Sequence, residues 1–416
     1  MIKKKIRLDV FWREVRQRKL LFSVRWILLI FVLGLSHKYL ANDKALIAKV
    51  EGKWYFPVTE QGLAKMGLND RYKKIQRIKW SRHKEFKLMP LVPYTARGLD
   101  LKNKNFEGPF AKQQLSSQRY RHWLGTDKLG RDVLAGLLSG CRLVFYICLI
   151  VGLFTGVLGL LIGGYSGLLG DDGLSWPLVK LIYYLLCSLL FTYVFVTGLN
   201  QYLVIKQGLE VKDAVLILSF LLLIVQGVRY SYRYIVHPLV GSRFAWAIKI
   251  PVDSSYYFLT IVLSALPVIA ILLAILSNFE SPDFSITMII LSMFLWIGNA
   301  RLLRGEVLRL REMNFIQASR LMGLTQNQIF WRHIYPNIRQ QLFVNLSLTL
   351  SSAIIVEASL SFLGIGMEAG EISWGVLLQA GRTNLEAWWI SLFPGMLLVL
   401  TVYSFNRIAE GLKKES

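Results

Sequence analysis

Long apolar runs alternate with short, mostly basic segments along this chain. A helix of about 20 apolar residues spans a bilayer, so each run predicts a membrane span. The predicted spans lie near residues 22–40, 143–169, 178–204, 213–228, 256–277, 285–300, 341–363 and 388–405. A buried helix of a soluble protein would explain one such run but not all of them. The pattern therefore predicts an all-α polytopic membrane protein.

Composition and charge agree with a membrane protein. Hydrophobic residues make up 54% of the 416 residues, and the mean hydropathy is +0.43. A formal net charge of +23 would usually indicate nucleic-acid binding. Here the basic residues crowd the ends of the apolar runs and the loops between them. A membrane surface explains them better, and no nucleic-acid partner is expected.

The sequence does not predict a metal or cofactor site. The three cysteines, Cys141, Cys148 and Cys187, lie in or beside apolar runs without metal-site spacing. The five histidines are scattered. The phosphate-binding pattern G-x-x-x-x-G-K-[ST] occurs nowhere in the chain. The sequence therefore shows no phosphate-binding loop for ATP in this chain.

Residues 301–340 form a basic segment between two predicted spans. Seven arginines and no lysines lie between Arg301 and Arg339, and the positive-inside rule places such a segment in the cytoplasm. Small residues, a glycine and a proline follow one another within it. The positions that stand out are Gln317, Ala318, Ser319, Arg320, Gly323 and Pro336.

A short helix is predicted over residues 314–321 of this segment. Gly323 supplies the positive φ that commonly ends a helix, and Pro336 is predicted to set the start of the next element. Ala318 and Ser319 lack bulk, so the helix can fit into a groove on a partner. The alternative is an ordinary connecting helix with small residues by chance.

The charge distribution also predicts the orientation of the chain. The basic segment 1–21 precedes an apolar run without a small-residue cleavage site, which predicts an uncleaved anchor with a cytoplasmic N-terminus. Counting spans from an internal 301–340 segment gives the same result and places 41–142 outside as a small, irregular domain. That segment is basic, but segments longer than about 60 residues cross largely regardless of charge. The tail 411–416 is predicted to be cytoplasmic.

Four further segments carry recognisable motifs. Residues 122–133 read HWLGTDKLGRDV, just before the second predicted span. Residues 251–275 contain an aspartate near their start and an internal proline. Residues 357–375 read EASLSFLGIGMEAGEISWG, and the motif WWISLFP begins at Trp388.

These motifs resemble the permeases of ABC importers of the dipeptide, oligopeptide and nickel type, the C-type subunit in particular. In that family the 301–340 segment is the coupling loop, with Glu-Ala-Ala, then Gly, then Ile-x-Leu-Pro. Here Gln317 replaces the glutamate and Ser319 the second alanine. His333 replaces the isoleucine and Tyr335 the leucine, while the spacing from the glycine to the proline is kept. Gln317 removes one charge and keeps a hydrogen-bonding side chain.

The resemblance covers about residues 122–170 and 251–410. It implies a second family span at 143–170 and a permease core at 251–410. Residues 171–250 do not match and are predicted to be an inserted pair of spans, because the spans on either side must keep their orientation. The expected architecture is an ABC-importer permease bundle of six family spans, beginning with 22–40, with two further spans and a small external domain.

The resemblance also implies a function and a set of partners. It implies a permease subunit in a bacterial inner membrane that pairs with a second permease chain, with two ATPase subunits or domains, and with an external substrate-binding protein. ATP and Mg would be bound by the ATPase chains. The implied cargo is a dipeptide or oligopeptide, with nickel or another small solute as the alternative.

Two other classes of protein would leave different traces in the sequence. A secondary transporter that needs no ATPase would show buried ion-coordinating charges and symmetry between its halves. A membrane-embedded enzyme would show His, Asp or Cys residues grouped at one depth of the bilayer. Neither pattern is visible in this sequence.

Glycines and prolines within the spans are candidates for packing and bending. The glycines of the second family span are Gly152, Gly156, Gly159, Gly163 and Gly167. Their spacing lets two helix backbones approach closely, which indicates internal packing or, alternatively, a sliding surface for alternating access. Pro267 and Pro394 predict kinks, either static or acting as hinges.

Glu357 is an ionisable residue near the outer end of the fifth family span. Such residues usually face a bundle interior or a water-filled cavity. One interpretation is that Glu357 lines the translocation pathway, as Pro267 would. The other is an interfacial carboxylate paired with Arg131 or Arg142.

The charged group of Asp127, Arg131 and Asp132 could suggest catalysis. It lacks a partnered nucleophile or general base, so a structural role is favoured. The sequence predicts a helix over 128–138, capped by Thr126 or Asp127.

Overall fold

The computed structural model describes most of the chain outside the 172–250 region. The described residues are 2–65, 75, 78, 80, 85–115, 117–171, 175–177, 187, 226, 230, 247–249, 251–276, 284–365 and 371–413. The chain forms two compact units, one of residues 1–165 and 260–416 and the other of residues 166–259. The predicted spans 178–204 and 213–228, which make up the predicted insertion, lie almost wholly outside the described residues.

The six family spans predicted from the apolar runs are all helical. Among the described residues, five single helices are long and apolar enough to cross a membrane: Leu20–Leu40, Val133–Leu169, Phe284–Arg311, Gln326–Phe362 and Trp388–Lys413. The sixth is a pair, Val252–Ala265 and Val268–Leu276, bent by 76° at a short break. The break contains Pro267, whose ring cannot continue the helical hydrogen-bond ladder. The chain is therefore an α-helical multi-pass membrane protein.

The described helices extend beyond the apolar runs because polar caps and turns, not hydropathy, set helix ends. They are α1 Ile2–Leu40, α2 Pro57–Lys65, α3 Val133–Leu158, α4 Gly164–Leu169, α5 Val252–Ala265, α6 Val268–Leu276, α7 Phe284–Arg311, α8 Asn314–Leu321, α9 Gln326–Ile329, α10 Tyr335–Phe362, α11 Trp374–Arg382 and α12 Trp388–Lys413. The described strands are β1 Ile47–Val50, β2 Lys53–Tyr55, β3 Lys87–Leu88, β4 Ser175–Pro177 and β5 Ala247–Lys249. Two π-helical turns, Gly159–Gly163 and Phe330–Ile334, join α3 to α4 and α9 to α10.

The first two of the candidate glycines, Gly152 and Gly156 on α3, pack against α10. A Cβ atom at Gly152 would meet the side chain of Leu350 at 3.6 Å, an ordinary contact. A Cβ atom at Gly156 would meet Leu346 at 3.3 Å, which is tight. The absence of side chains at these glycines lets the leucines of α10 approach the backbone of α3.

The next two glycines, Gly159 and Gly163 in the π turn that follows α3, pack more closely against α7. A Cβ atom at Gly159 would lie 2.9 Å from Cβ of Asn299, and one at Gly163 would lie 2.3 Å from the carbonyl oxygen of Ala300. A side chain at Gly163 would therefore collide with a neighbouring backbone. Four of the five candidate glycines thus lie in the groove between α7 and α10, while Gly167 belongs to the other compact unit.

The segment between the first two spans is more regular than predicted. Strands β2, β1 and β3 form an antiparallel sheet in that order, with α2 inserted between β2 and β3. Its small buried core consists of Ala45, Ala48, Ile75, Trp80 and Met89. The prediction of an irregular domain was wrong in this part because strands of four, three and two residues are too short for a readable alternation.

The start of α3 corrects the predicted cap. The helix begins at Val133, and the Asp132 side chain accepts a hydrogen bond from the backbone N–H of Ala135 at 2.7 Å. Asp127 instead closes the preceding turn by accepting from the N–H groups of Leu129 and Arg131. Two aspartates five residues apart offer the same capping chemistry, and the turn between them decides which one caps the helix.

The second compact unit contains β4 and β5, which pair antiparallel with Trp176 opposite Ile248. Within it, the backbone N–H and the hydroxyl of Ser254 donate to the two carboxylate oxygens of Asp171 at 2.9 and 2.6 Å. This contact satisfies an N–H in the first turn of α5, which has no partner inside its own helix.

Candidate coupling site

The candidate coupling site is the short helix α8 and the residues that hold it between α7 and α9. The helix spans Asn314–Leu321, the residues predicted from the sequence. Gln317 Nε2 donates to the carbonyl of Glu312 at 3.2 Å and closes the turn that separates α8 from α7. The amide of Gln317 thus has a structural use that a glutamate at this position could not supply, since a carboxylate does not donate.

A Schellman motif ends α8. Gly323 has φ +80°, its N–H donates to the carbonyl of Arg320 at 3.0 Å, and the N–H of Leu324 donates to the carbonyl of Ser319 at 3.2 Å. This pair of hydrogen bonds defines the motif and satisfies carbonyls that the helix end would leave unpaired. Gly323 therefore has the conformation that the sequence predicted for it.

The two faces of α8 differ in exposure. Ile316 and Ser319 are buried, and the Ser319 hydroxyl donates to the carbonyl of Phe315 at 2.7 Å. Ala318 is exposed. The prediction that Ala318 and Ser319 both fit a partner's groove is therefore wrong for Ser319, whose small size serves packing within this chain. Helix rotation, which the residue type does not reveal, places it inward.

Apolar side chains project from the C-terminal end of α8. Leu321 is 91% exposed, and Met322 beside it is also exposed. Gln317 and Arg320 lie on the exposed side as well. An exposed apolar tip rimmed by polar and basic groups is typical of a surface that enters a pocket on another protein. The sequence analysis missed Leu321 and Met322 because a single exposed leucine or methionine has no signature of its own.

Pro336 is the second residue of α10 and lies in its first turn, where the sequence predicted a proline at the start of the next element. The capping box of Thr325 and Gln328 begins α9 at Gln326, and the π turn joins α9 to α10 without a break before Pro336. The wider π turn directly before it, Phe330–Ile334, relieves the clash that a proline ring makes with the preceding turn of an α-helix.

Phe330 anchors this part of the chain to the C-terminal end of the second span. Its ring stacks on Tyr165 at 4.3 Å between centroids, and a Cβ atom at Gly164 would lie 2.7 Å from it. The Tyr165 hydroxyl donates to the side-chain oxygen of Asn327. Neither aromatic residue was singled out from the sequence, since an aromatic residue in an apolar run indicates burial but not its partner.

The other predicted site residues lie apart from α8. Glu357 is 5% exposed, and its carboxylate accepts a hydrogen bond from Ser361 at 2.8 Å. The predicted pairing with Arg131 or Arg142 is wrong, because Arg131 pairs with Asp127 at 2.6 Å and Arg142 with Glu371. Pro267 is exposed at the break between α5 and α6. A pathway role for Glu357 and for Pro267 stays a prediction.

A second polar cluster holds the motif at residues 122–133. His122 is fully buried and donates from Nδ1 to Asp132 at 2.8 Å and from Nε2 to Asp100 at 3.3 Å. Its ring stacks on Tyr94 at 4.1 Å, and burial raises the pKa of the Tyr94 hydroxyl. The cluster ties the cap of α3 to the segment before it, so the motif has a structural role that its sequence did not reveal.

The charges in this cluster stabilise one another. Burial lowers the pKa of His122, but the hydrogen bonds and negative charges of Asp132 and Asp100 outweigh it, so the pKa is raised. Burial likewise raises the pKa of Asp100, but hydrogen bonds from Asn103, Lys102 and His122 outweigh it, so that pKa is lowered. Both shifts favour the charged form of their group, so the imidazole and the carboxylates stabilise one another.

Comparison with known families agrees with this architecture. Residues 239–414, which include α7, α8 and α10, match the family model of the binding-protein-dependent transport system inner membrane component. This part of the chain is therefore similar to that family, and the matched residues contain the whole candidate coupling site.

Three relatives illustrate how far the similarity extends. The permease is 25% identical to the inner membrane ABC transporter permease protein YejE of Escherichia coli, over 95% of this chain and 92% of that protein. It is 24% identical to the dipeptide transport system permease protein DppC of Bacillus subtilis, over 74% of each chain. It is 37% identical to a putative peptide transport system permease protein of Brucella suis, over 43% of this chain and 60% of that protein.

Proposed function

We propose that this permease is the transmembrane subunit of an ATP-driven importer of dipeptides or oligopeptides. The observation that carries the proposal is the build of α8, a short helix fixed at both ends between two spans, with Leu321 and Met322 exposed at its tip. The similarity to permeases named for dipeptide and peptide transport supports the cargo. Nickel or another small solute is the alternative cargo.

The proposal includes several partners. A second permease chain completes the pathway, two ATPase subunits or domains bind ATP and Mg, and an external substrate-binding protein delivers the peptide. The protein lies in a bacterial inner membrane with both termini and α8 in the cytoplasm. This chain has no catalytic role, and the ATPase chains hold the nucleotide.

The contacts of α8 suggest how motion would be transmitted. ATP binding would close the ATPases and displace α8, from which α7 leaves at one end and the continuous helix α9–α10 at the other. Phe330, packed on Tyr165 and Gly164, would carry the same displacement to the second span. Transport then follows from two states of the bundle whose balance is biased at a distant site.

Co-purification and uptake test the proposal together. The permease is co-expressed with its candidate ATPases, purified and placed in proteoliposomes with a dipeptide, an oligopeptide or Ni²⁺ as cargo. Leu321→Asp puts a charge on the exposed tip and should reduce ATPase co-purification and uptake at least tenfold. Leu385→Asp is the matched control, since Leu385 is 89% exposed in the turn before α12. Uptake by the purified chain without an ATPase would contradict the proposal.

A further inference from the structure

The exposed faces of three spans suit contact with lipid. On α3 and α12, every exposed position between Tyr146 and Val157 and between Trp388 and Tyr403 is apolar or aromatic. On α1 the exposed positions from Leu28 to Leu35 are also apolar. Exposed apolar residues of these spans include Leu28, Leu29, Val32, Leu35, Leu149, Leu153, Val157, Leu392, Met396 and Val399.

The exposed face of α10 is different. Leu348, Ser352, Ile355 and Ser359 are exposed along it, at steps of four, three and four residues that place them on one line of the helix. Two hydroxyl groups therefore lie in the middle of a face that would otherwise be turned to hydrocarbon.

The hydrogen bonds of these serines determine which donor and acceptor groups remain for a ligand. The Ser352 hydroxyl donates to the carbonyl of Leu348 at 3.1 Å, and that of Ser359 donates to the carbonyl of Ile355 at 2.8 Å. Each hydroxyl proton is used within the helix, and the oxygen lone pairs remain as acceptors. The face thus offers uncharged acceptors that suit N–H donors.

The same line continues into the inner half of α10. At 100° per residue, Gln341, Asn345, Ser352 and Ser359 lie within about 40° of one another around the helix axis. Gln341 Nε2 lies 3.5 Å from the side-chain oxygen of Asn345. Asn345 is only 4% exposed, yet its Nδ2 has no hydrogen-bond partner among the described residues. A buried amide N–H without a partner calls for a polar neighbour.

We propose that Gln341, Ser352 and Ser359 on α10, with the buried Asn345 behind them, line the translocation pathway and bind the main chain of the peptide cargo. The inference rests on the proposed function and names the surface that cargo touches. Amide and hydroxyl groups recognise the N–H and C=O groups that all peptides share, and they carry no charge that would select side chains. Glu357 lies about 140° away around the helix and faces the bundle interior.

Cysteine accessibility in the assembled importer tests this surface. In a background where the three native cysteines are alanine and uptake is retained, Ser352→Cys and Ser359→Cys are treated in membranes with a charged, water-soluble thiol reagent. Leu153→Cys and Val399→Cys are the controls, at positions 62% and 63% exposed on the apolar faces of α3 and α12. The serine positions should react at least tenfold faster than the controls, and saturating dipeptide should slow them several-fold.

Side-chain variants provide an independent reading. Replacing Ser352 and Ser359 together with alanine should raise the peptide concentration for half-maximal uptake several-fold, and the double threonine variant, which keeps both hydroxyls, should restore it. Reaction as slow as at the control positions would mean a lipid-facing surface and overturn the proposal, and so would fast reaction that peptide leaves unchanged. Failure of the proposed function would appear instead as loss of ATPase co-purification in the unmodified importer.

Discussion

Gly323 shows how one residue fixes the shape of the coupling site. Its φ of +80° lies in the left-handed region, which glycine enters without cost and a β-branched residue does not. An added Cβ would meet no atom within 4 Å, so the requirement at this position comes from the backbone alone. A local rule is enough to predict it, and the sequence did.

Gly323→Val should therefore impair coupling without preventing membrane insertion. We expect a strain of about 1–3 kcal/mol at the end of α8 and a loss of ATP-driven uptake, measured in proteoliposomes beside the amount of inserted protein. Gly305→Val is the control, because Gly305 lies in α7, where an added Cβ also meets no atom within 4 Å. Normal uptake by the Gly323 variant would contradict the role given to this turn.

His122 should make the stability of the segment before α3 depend on pH. Its pKa is raised in the folded protein, so its contribution is complete below the ordinary value of 6.5 and is lost as pH rises through the raised pKa. The lowered pKa of Asp100 acts in the other direction: its contribution is present above the ordinary value of 3.8 and is lost as pH falls through the lowered value.

The measurement is the Tm of the detergent-solubilised protein between about pH 5.5 and 9. This range includes the pKa of a histidine side chain in model peptides, about 6.5. The Tm difference between the wild type and His122→Gln should be largest at the acidic end and should shrink as pH rises. Lys102→Gln, an exposed change in the same segment, should give a constant difference. If the Tm difference between the wild type and His122→Gln grew as pH rises, the folded protein would not favour the charged form of His122.

At the scale of the helices, whether a segment forms a span and which face that span turns to its neighbours have different physical origins. The apolar runs predicted each described span, because about 20 apolar residues are stable in a bilayer only as a helix. The face that each helix turns to its neighbours depends on those neighbours. The glycines of α3 indicated a close approach, but only the packing shows that Gly152 faces α10 while Gly163 faces the backbone of α7.

A matched pair of alanine substitutions tests this packing. Gly163→Ala would place Cβ 2.3 Å from the carbonyl oxygen of Ala300 and should destabilise the protein by about 1–3 kcal/mol through overpacking. Gly152→Ala would make an ordinary contact at 3.6 Å and should be neutral or slightly stabilising. Thermal unfolding in detergent distinguishes them, and equal Tm values for the two variants would refute the close approach of α3 to α7.

At the scale of the whole molecule, the number of spans between two loops determines whether the loops lie on the same side of the membrane or on opposite sides. One span, α9–α10, separates α8 from the turn at residues 383–387, and one more, α12, separates that turn from the C-terminal tail. The positive-inside rule, applied to the seven arginines between Arg301 and Arg339, predicts that α8 lies in the cytoplasm. The turn should then lie outside and the tail inside.

Labelling of single cysteines in intact cells tests this arrangement. A membrane-impermeant thiol reagent should label Glu386→Cys and Lys102→Cys and should leave Arg320→Cys and Glu410→Cys unlabelled until the cells are opened. Labelling of Arg320→Cys from outside would place α8 on the wrong side for an ATPase and would remove the basis of the proposed function.

The sequence by itself determined the features that depend on neighbours along the chain: the apolar runs that became spans, the bounds of α8, and the positive φ of Gly323. Only the tertiary structure decided which side of a helix is covered. It turned Ser319 and Glu357 inward, left Ser352 and Ser359 on an open face, and chose Asp132 as the cap of α3. The physical reason is that hydropathy and backbone sterics act locally, whereas burial depends on the rotation of each helix against residues far away in sequence.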